Sequence, residues 1–166
     1  LESQDPVRAF DFLGITLQYE MCYTNVLQVL DLSGIPLLAK DRTTMDPIVI
    51  GGGPCTYNPE PIAPFFDMFY IGEGETVYRQ LLDIYKEEKA AGKNREDFLL
   101  RAAREVTGIY VPSLYETTYK QDKTIASFTP TAEGVPARIR KEIVMDLDKA
   151  PYPTNPIVPY IKVTQD

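Results

Sequence analysis

Ile48-Val49-Ile50-Gly51-Gly52-Gly53-Pro54-Cys55-Thr56-Tyr57-Asn58-Pro59-Glu60 is a short apolar run that opens onto three glycines and a proline. A second unit of the same kind, Phe69-Tyr70-Ile71-Gly72-Glu73-Gly74-Glu75-Thr76, follows soon after it. Each reads as a buried strand that stops at glycines, where the missing Cβ lets backbone come close to another group. In an open α/β sheet, ligands bind beyond the carboxyl ends of such strands. The two units together mark a candidate binding rim made of Gly51, Gly52, Gly53, Pro54, Cys55, Gly72, Glu73 and Gly74.

The flanking sequence supplies the rest of the sheet. Phe12–Leu17 reads as a strand, and Glu20–Leu32 as a helix with Met21, Val26, Leu27, Val29 and Leu30 at helical spacing, stopped by Ser33-Gly34. Ile35–Ala39 reads as a second strand and Lys40–Pro47 as a polar loop. After the glycine/proline loop Gly51–Pro61 come a helical turn at Ile62–Phe66, Asp67, and a strand at Met68–Ile71. Glu75–Ala91 is the clearest helix, with Val77, Leu81, Leu82, Ile84 and Tyr85 as its inward stripe. Asn94 is placed to cap a helix over Arg95–Arg104 that Gly108 ends. This alternation predicts an α/β fold: a Rossmann- or flavodoxin-like parallel sheet with helices on both faces.

Past Gly108 the pattern changes. Ile109–Pro112, Lys123–Phe128 and Arg138–Met145 are short extended runs separated by turn residues, which predicts a small antiparallel β appendage. Four prolines between Ala150 and Pro159 predict a stiff connector. The expected organisation is an α/β domain over 1–108, the appendage over 109–149 and the connector over 150–166.

Composition removes whole classes of function. The chain has 166 residues, 44% hydrophobic and 25% charged, which suits a globular core. Its net charge of −7 disfavours binding to a nucleic-acid backbone through this segment. Its apolar runs fall well short of the ~18 residues a membrane span needs. With no histidine, neither a Ser-His-Asp nor a Cys-His site can be assembled, and an imidazole ligand to a metal is excluded. The two cysteines, Cys22 and Cys55, fit no metal-ligand spacing and suit free thiols in a cytoplasm. The chain opens on Leu1 rather than a methionine and closes on an extended run, Val158–Asp166, so both ends predict a piece of a longer protein.

Gly52-Gly53-Pro54-Cys55-Thr56 with Pro59-Glu60, then Asp67, then Gly72-Glu73-Gly74-Glu75, resembles the GGPH-T-x-x-P-E … D … GEGE pattern of the cobalamin-binding-like domain at the N-terminus of many radical SAM enzymes. Leu17-Gln18-Tyr19-Glu20 fits a subfamily of uncharacterised radical SAM proteins, and Asp148-Lys149-Ala150-Pro151-Tyr152-Pro153 resembles the linker into their catalytic barrel. The resemblance implies an accessory domain, not catalytic by itself, that positions cofactor or substrate over a barrel in the same polypeptide. It assigns the 4Fe–4S cluster and S-adenosylmethionine to that barrel, whose CxxxCxxC motif this chain does not contain. It implies cobalamin as the cofactor at this segment, with Thr16 as the strand-end hydroxyl and Gly52-Gly53 as the turn around the nucleotide tail. The family's cobalt-binding histidine loop is absent, Cys55 stands where histidine often follows Gly-Gly-Pro, and a first β-α unit is expected to precede Leu1.

Each feature also has a plainer reading. Gly51–Pro54 is a ligand-facing turn or a tight strand exit. Glu73 and Glu75 read as dipole partners of a helix N-terminus rather than as acid and base. Cys55 is a reactive thiol or a small buried hydrophobe. A second hypothesis is a cofactor-free interaction or scaffold module that uses Tyr110, Tyr115 and Tyr119 as its surface. A third, a flavodoxin-like phosphate binder, ranks last, because Leu17-Gln18-Tyr19-Glu20-Met21 is bulky and acidic where a phosphate loop should lie. An uncovered sheet edge would also favour self-association.

Overall fold

Successive residues of a strand face opposite sides of its sheet, and the two apolar runs use both sides. Ile48, Ile50, Met68 and Tyr70 enter one buried cluster, while Val49 and Phe69 enter another. A strand apolar on both faces must be covered on both. The computed structural model, which describes residues 4–75, 77–152 and 154, shows this arrangement. Strands β1 (Phe12–Thr16), β2 (Ile48–Gly52), β3 (Met68–Tyr70) and β4 (Ile109–Tyr110) form one sheet in that order. β1, β2 and β3 run parallel, and β4 is antiparallel to β3. Helix α1 (Tyr23–Leu32) covers one face through Val26 and Leu30. Helices α2 (Val77–Ala90) and α3 (Arg95–Glu105) cover the other through Val77, Leu81, Ile84, Phe98, Leu99, Ala102 and Ala103. The fold is therefore mixed α/β and Rossmann-like, as the alternation of elements predicts.

Asn94 closes a capping box at the start of α3: its side chain accepts from the Asp97 N–H at 2.8 Å, and the Asp97 carboxylate accepts from the Asn94 N–H at 3.3 Å. Such a cap contributes about 1 kcal/mol. Other expectations are corrected. Ile35–Ala39 is not a strand, and Ala39–Asp41 is a 3-10 turn. On α2 Leu82 is exposed, and around α1 Met21 and Val29 are exposed, so each buried stripe is narrower than the apolar spacing suggests.

Ile109–Tyr110 belongs to the main sheet as β4, not to an appendage. The small antiparallel sheet pairs Ile125–Pro130 (β6) with a strand missed in the sequence, Tyr115–Tyr119 (β5). It is fastened to the core by rings: Tyr115 and Phe128 stack at 5.0 Å, and Tyr115 lies 5.1 Å from Tyr110. Arg138–Met145 forms no strand, and only Glu142 makes a bridge, to Gly72. The connector expectation beyond Tyr152 falls, Thr154 apart, outside the described residues.

The amino-terminal rim of the sheet holds a buried ionic knot. Asp67, the residue before β3, accepts from Arg42 Nη1 at 2.8 Å, from Arg95 Nε at 3.1 Å and from the Val49 N–H at 2.7 Å. Arg95 Nη2 lies 2.7 Å from the same carboxylate. The Arg42 side chain is fully enclosed, and burial pulls its guanidinium below the ordinary value while Asp67 pulls it back up. Removing one partner of a buried ion pair strands the others and costs roughly 3–5 kcal/mol. Asp67→Ala is expected to lower unfolding stability by an amount in that range (~3–5 kcal/mol), read from urea denaturation followed by circular dichroism. A loss below about 1 kcal/mol, the worth of an exposed pair, would show that the knot is not a stabilising element.

Candidate functional site at the carboxyl rim

Parallel pairing settles where the two glycine turns lie. Thr16 is in register with Gly52, and Gly51 with Phe69, so β1, β2 and β3 end at one rim. Gly53-Pro54 and Gly72-Glu73-Gly74 leave that rim from adjacent strands. The structure thus brings Thr16, Gly52, Gly53, Pro54 and Gly72 to one edge, while Gly51 and Cys55 lie inside it.

The glycines differ in what they make room for. A Cβ on Gly51 would fall 2.7 Å from the Phe69 ring and 3.1 Å from Phe66, so Gly51 gives way to aromatic packing. Gly53 has φ +94°, and a Cβ there would sit 3.0 Å from the Leu17 carbonyl oxygen. The chain closes tightly at that point. The Leu17 N–H donates to the Gly52 carbonyl at 2.7 Å, the Cys55 N–H donates to the Leu17 carbonyl at 3.1 Å, and the Thr56 hydroxyl donates to the Gly53 carbonyl at 2.7 Å. Of the three glycines in this turn, Gly52 alone faces open space: a methyl group placed on it would meet nothing within 4 Å.

The second turn is covered by the chain itself. Gly72 has φ +131°, and a Cβ there would lie on the Glu142 backbone. The Glu142 N–H donates to the Ile71 carbonyl and the Glu73 N–H to the Glu142 carbonyl, both at 3.1 Å. The Glu73 carboxylate accepts from the Val144 N–H at 2.7 Å. Glu73 therefore anchors a strap, residues 138–145, across the end of β3. Gly74 makes room for the Tyr78 ring. Burial is the main cause that pushes the Tyr70 and Tyr78 phenols above their ordinary values, and the Tyr70 hydroxyl donates to the Glu73 carbonyl at 2.7 Å.

Cys55 packs in the α1-side core and is 8% exposed. Burial, with the Cys55 thiol beside it, pushes the Tyr23 hydroxyl up. Cys22 is half-buried on a separate element. Among the described residues, no group of three or more Cys, Asp or Glu could hold a metal ion, and no helix is long and apolar enough to cross a membrane. Of the three tyrosines expected to form an interaction surface, Tyr110 is buried with its hydroxyl on Glu60, Tyr115 is turned inward, and Tyr119 alone is well exposed.

Four clefts of about 230, 360, 210 and 570 Å³ are lined by residues other than those expected at the rim. The last lies at the opposite, amino rim above Arg42, Asp67 and Arg95. Sequence reasoning missed both arginines. Each reads in the sequence as an ordinary loop or helix-start residue, and Asp67 enters there only as a position of the motif.

The contrast between Gly52 and Gly53 is testable. Gly53→Ala is expected to cost about 1–3 kcal/mol in urea denaturation, through a disfavoured φ and the clash with Leu17. Gly52→Ala is expected to change stability by less than about 0.5 kcal/mol. Equal effects at the two positions would remove the distinction between a packed turn and an open one.

The fold found in this geometry has counterparts in sequence. The model of the family described as radical SAM proteins, N-terminal, matches residues 1–112 of the 166. The chain is also 41% identical over 78 residues to the uncharacterized protein MJ0966 of Methanocaldococcus jannaschii, a match that takes in 45% of this chain and 16% of that protein. No solved structure matches. With the family model covering more than half of its length, from before β1 to just past β4, the chain belongs to the family of radical SAM protein N-terminal domains.

Proposed function

We propose that this chain is the accessory, non-catalytic portion of a radical SAM enzyme, and that its carboxyl rim is a cofactor-free surface that seats the catalytic portion of the same polypeptide. The observation that carries this reading is the family match over residues 1–112. The 4Fe–4S cluster and S-adenosylmethionine are assigned to the catalytic portion, because three converging thiolates cannot be assembled from Cys22 and Cys55.

Cobalamin fits the residues present poorly. A corrinoid tail needs room at the strand ends, yet the space beside Gly51, Gly53 and Gly72 is taken by Phe69, Leu17 and Glu142. No histidine is available to the metal. The docking part of the reading is supported by large side chains on segments that leave this rim: Tyr19, Met21 and Tyr57 are 58%, 83% and 66% exposed, and Met145 on the strap is 90% exposed. Side chains of this kind, depleted of charge, are enriched at the centres of interfaces.

Two measurements test the two halves. Gel filtration after incubation with hydroxocobalamin is expected to return colourless protein, and retained visible absorbance in one-to-one amount would overturn the cofactor-free half. Expressed as separate chains, this portion and the catalytic portion of the parent are expected to co-elute, and Tyr19→Asp with Met21→Asp to abolish co-elution. Co-elution unchanged by both substitutions would move the docking surface elsewhere.

A further inference from the structure

Arg138 and Arg140, on the strap across β3, flank Ile139, which packs against the α1-side core. Both line a cleft of about 210 Å³, together with Arg104 from the last turn of α3 and the Thr107-Gly108 turn before β4. Because β4 is antiparallel to β3, this cleft opens at the carboxyl rim, beside the glycine turns but separate from them.

Three arginines and one carboxylate residue, Glu105, line this cleft. Arg104 gives Nε and Nη2 to the Glu133 carbonyl, at 2.9 and 2.5 Å, which fixes its fork and leaves Nη1 unused. Among the described residues, Arg138, Arg140 and Thr107 have no hydrogen-bond or ion-pair partner. Glu105 turns one carboxylate oxygen to Arg101 Nε at 3.0 Å, and that arginine also pairs with Glu87 and Glu88, so Glu105 offsets part of the positive charge of the cleft. The carboxyl end of α3 brings about half a negative charge, which with the Glu105 carboxylate is still less than the three cations. On a chain of net charge −7, this is a local excess of positive charge with unfilled donors.

We propose that this cleft binds a small phosphate-bearing anion, held by the forks of Arg138 and Arg140, by Nη1 of Arg104 and by the Thr107 hydroxyl. A lone carboxylate offers two oxygens and one charge, enough for a single fork. A phosphate or diphosphate supplies the additional oxygens and charge that several guanidiniums can share. The acidic remainder of the chain repels a long nucleic-acid backbone, so the ligand is a small molecule. The proposal stands independently of how the rim seats the catalytic portion.

Isothermal titration calorimetry with inorganic pyrophosphate, at constant ionic strength, tests it. Saturable one-to-one binding is expected. Arg138→Ala with Arg140→Ala should weaken it on the order of a hundredfold, two charge-assisted contacts being lost. Arg138→Lys with Arg140→Lys keeps the charge but not the forks and should fall between. This second pair also serves if the alanine pair does not fold by circular dichroism. Lys86→Ala with Lys120→Ala, the same change in net charge at a distance, should leave binding unchanged. No saturable heat, an equal loss in the distant pair, or tighter binding of oligothymidylate than of pyrophosphate would overturn the proposal.

Discussion

One carboxylate fixes the amino-terminal rim of this sheet. Asp67 is 4% exposed and holds two guanidiniums and a backbone amide from three parts of the chain. Its bond to the Val49 N–H is answered by the Asp67 N–H donating to the Val49 carbonyl at 3.0 Å, so the residue also sets how β3 begins against β2. Each arginine then spends its other donors on carbonyls. Arg42 reaches those of Pro36, Leu37 and Phe65, and Arg95 those of Thr43, Asp46 and Pro47. Irregular backbone at residues 36–47 needs such partners, since a buried carbonyl without one is costly. The arginines stand in for a ladder, and Asp67 neutralises part of what they bring.

That substitution explains which parts of the fold were legible. β1, β2 and β3 were, because Phe12–Thr16, Ile48–Gly52 and Met68–Tyr70 are dense apolar runs bounded by turn residues. So was α3, because Asn94 announces it. Ile35–Ala39 has the composition of a strand but is not one: Pro36 lacks an N–H, and the carbonyls of Pro36 and Leu37 go to Arg42 instead of a neighbouring strand. No local pattern reveals a partner six residues away. β5 was missed for a related reason. Tyr115-Glu116-Thr117-Thr118-Tyr119 carries only alternate residues half-buried, and its ladder to β6 and the Tyr115–Phe128 stack are both contacts with a distant part of the chain.

The candidate rim was legible in position but not in content. Strand-end glycines correctly predicted two turns side by side, since parallel strands that share a register end together. Why those positions are glycine lies in atoms the motif does not include: Phe69 above Gly51, the Leu17 carbonyl beside Gly53, and Glu142 over Gly72. A glycine that admits a ligand and a glycine that admits a neighbouring residue leave the same mark in a sequence. Glu142 is seventy residues from Gly72 (71 for the Glu73–Val144 bond), and nothing in Arg138–Met145 announces a strap rather than a strand.

The strap links the two features of this rim. Glu142 and Val144 hold it down on Ile71 and Glu73, and the arginines just before them form part of the cleft wall. Arg104 is held by the Glu133 carbonyl, and Arg138 and Arg140 line the same cleft from the strap. A ligand shifts an equilibrium only as far as its affinities for the two states differ. An anion that needs all three guanidiniums binds the strapped arrangement better than a released one, and so strengthens the bonds at Gly72 and Glu73 without touching them. By the same linkage, loosening the strap at Glu73 weakens the proposed anion by at most the ratio of its affinities for the two states. The carboxylate at Glu73, read from sequence as a helix-end charge, is then the element through which the rim and the cleft depend on each other.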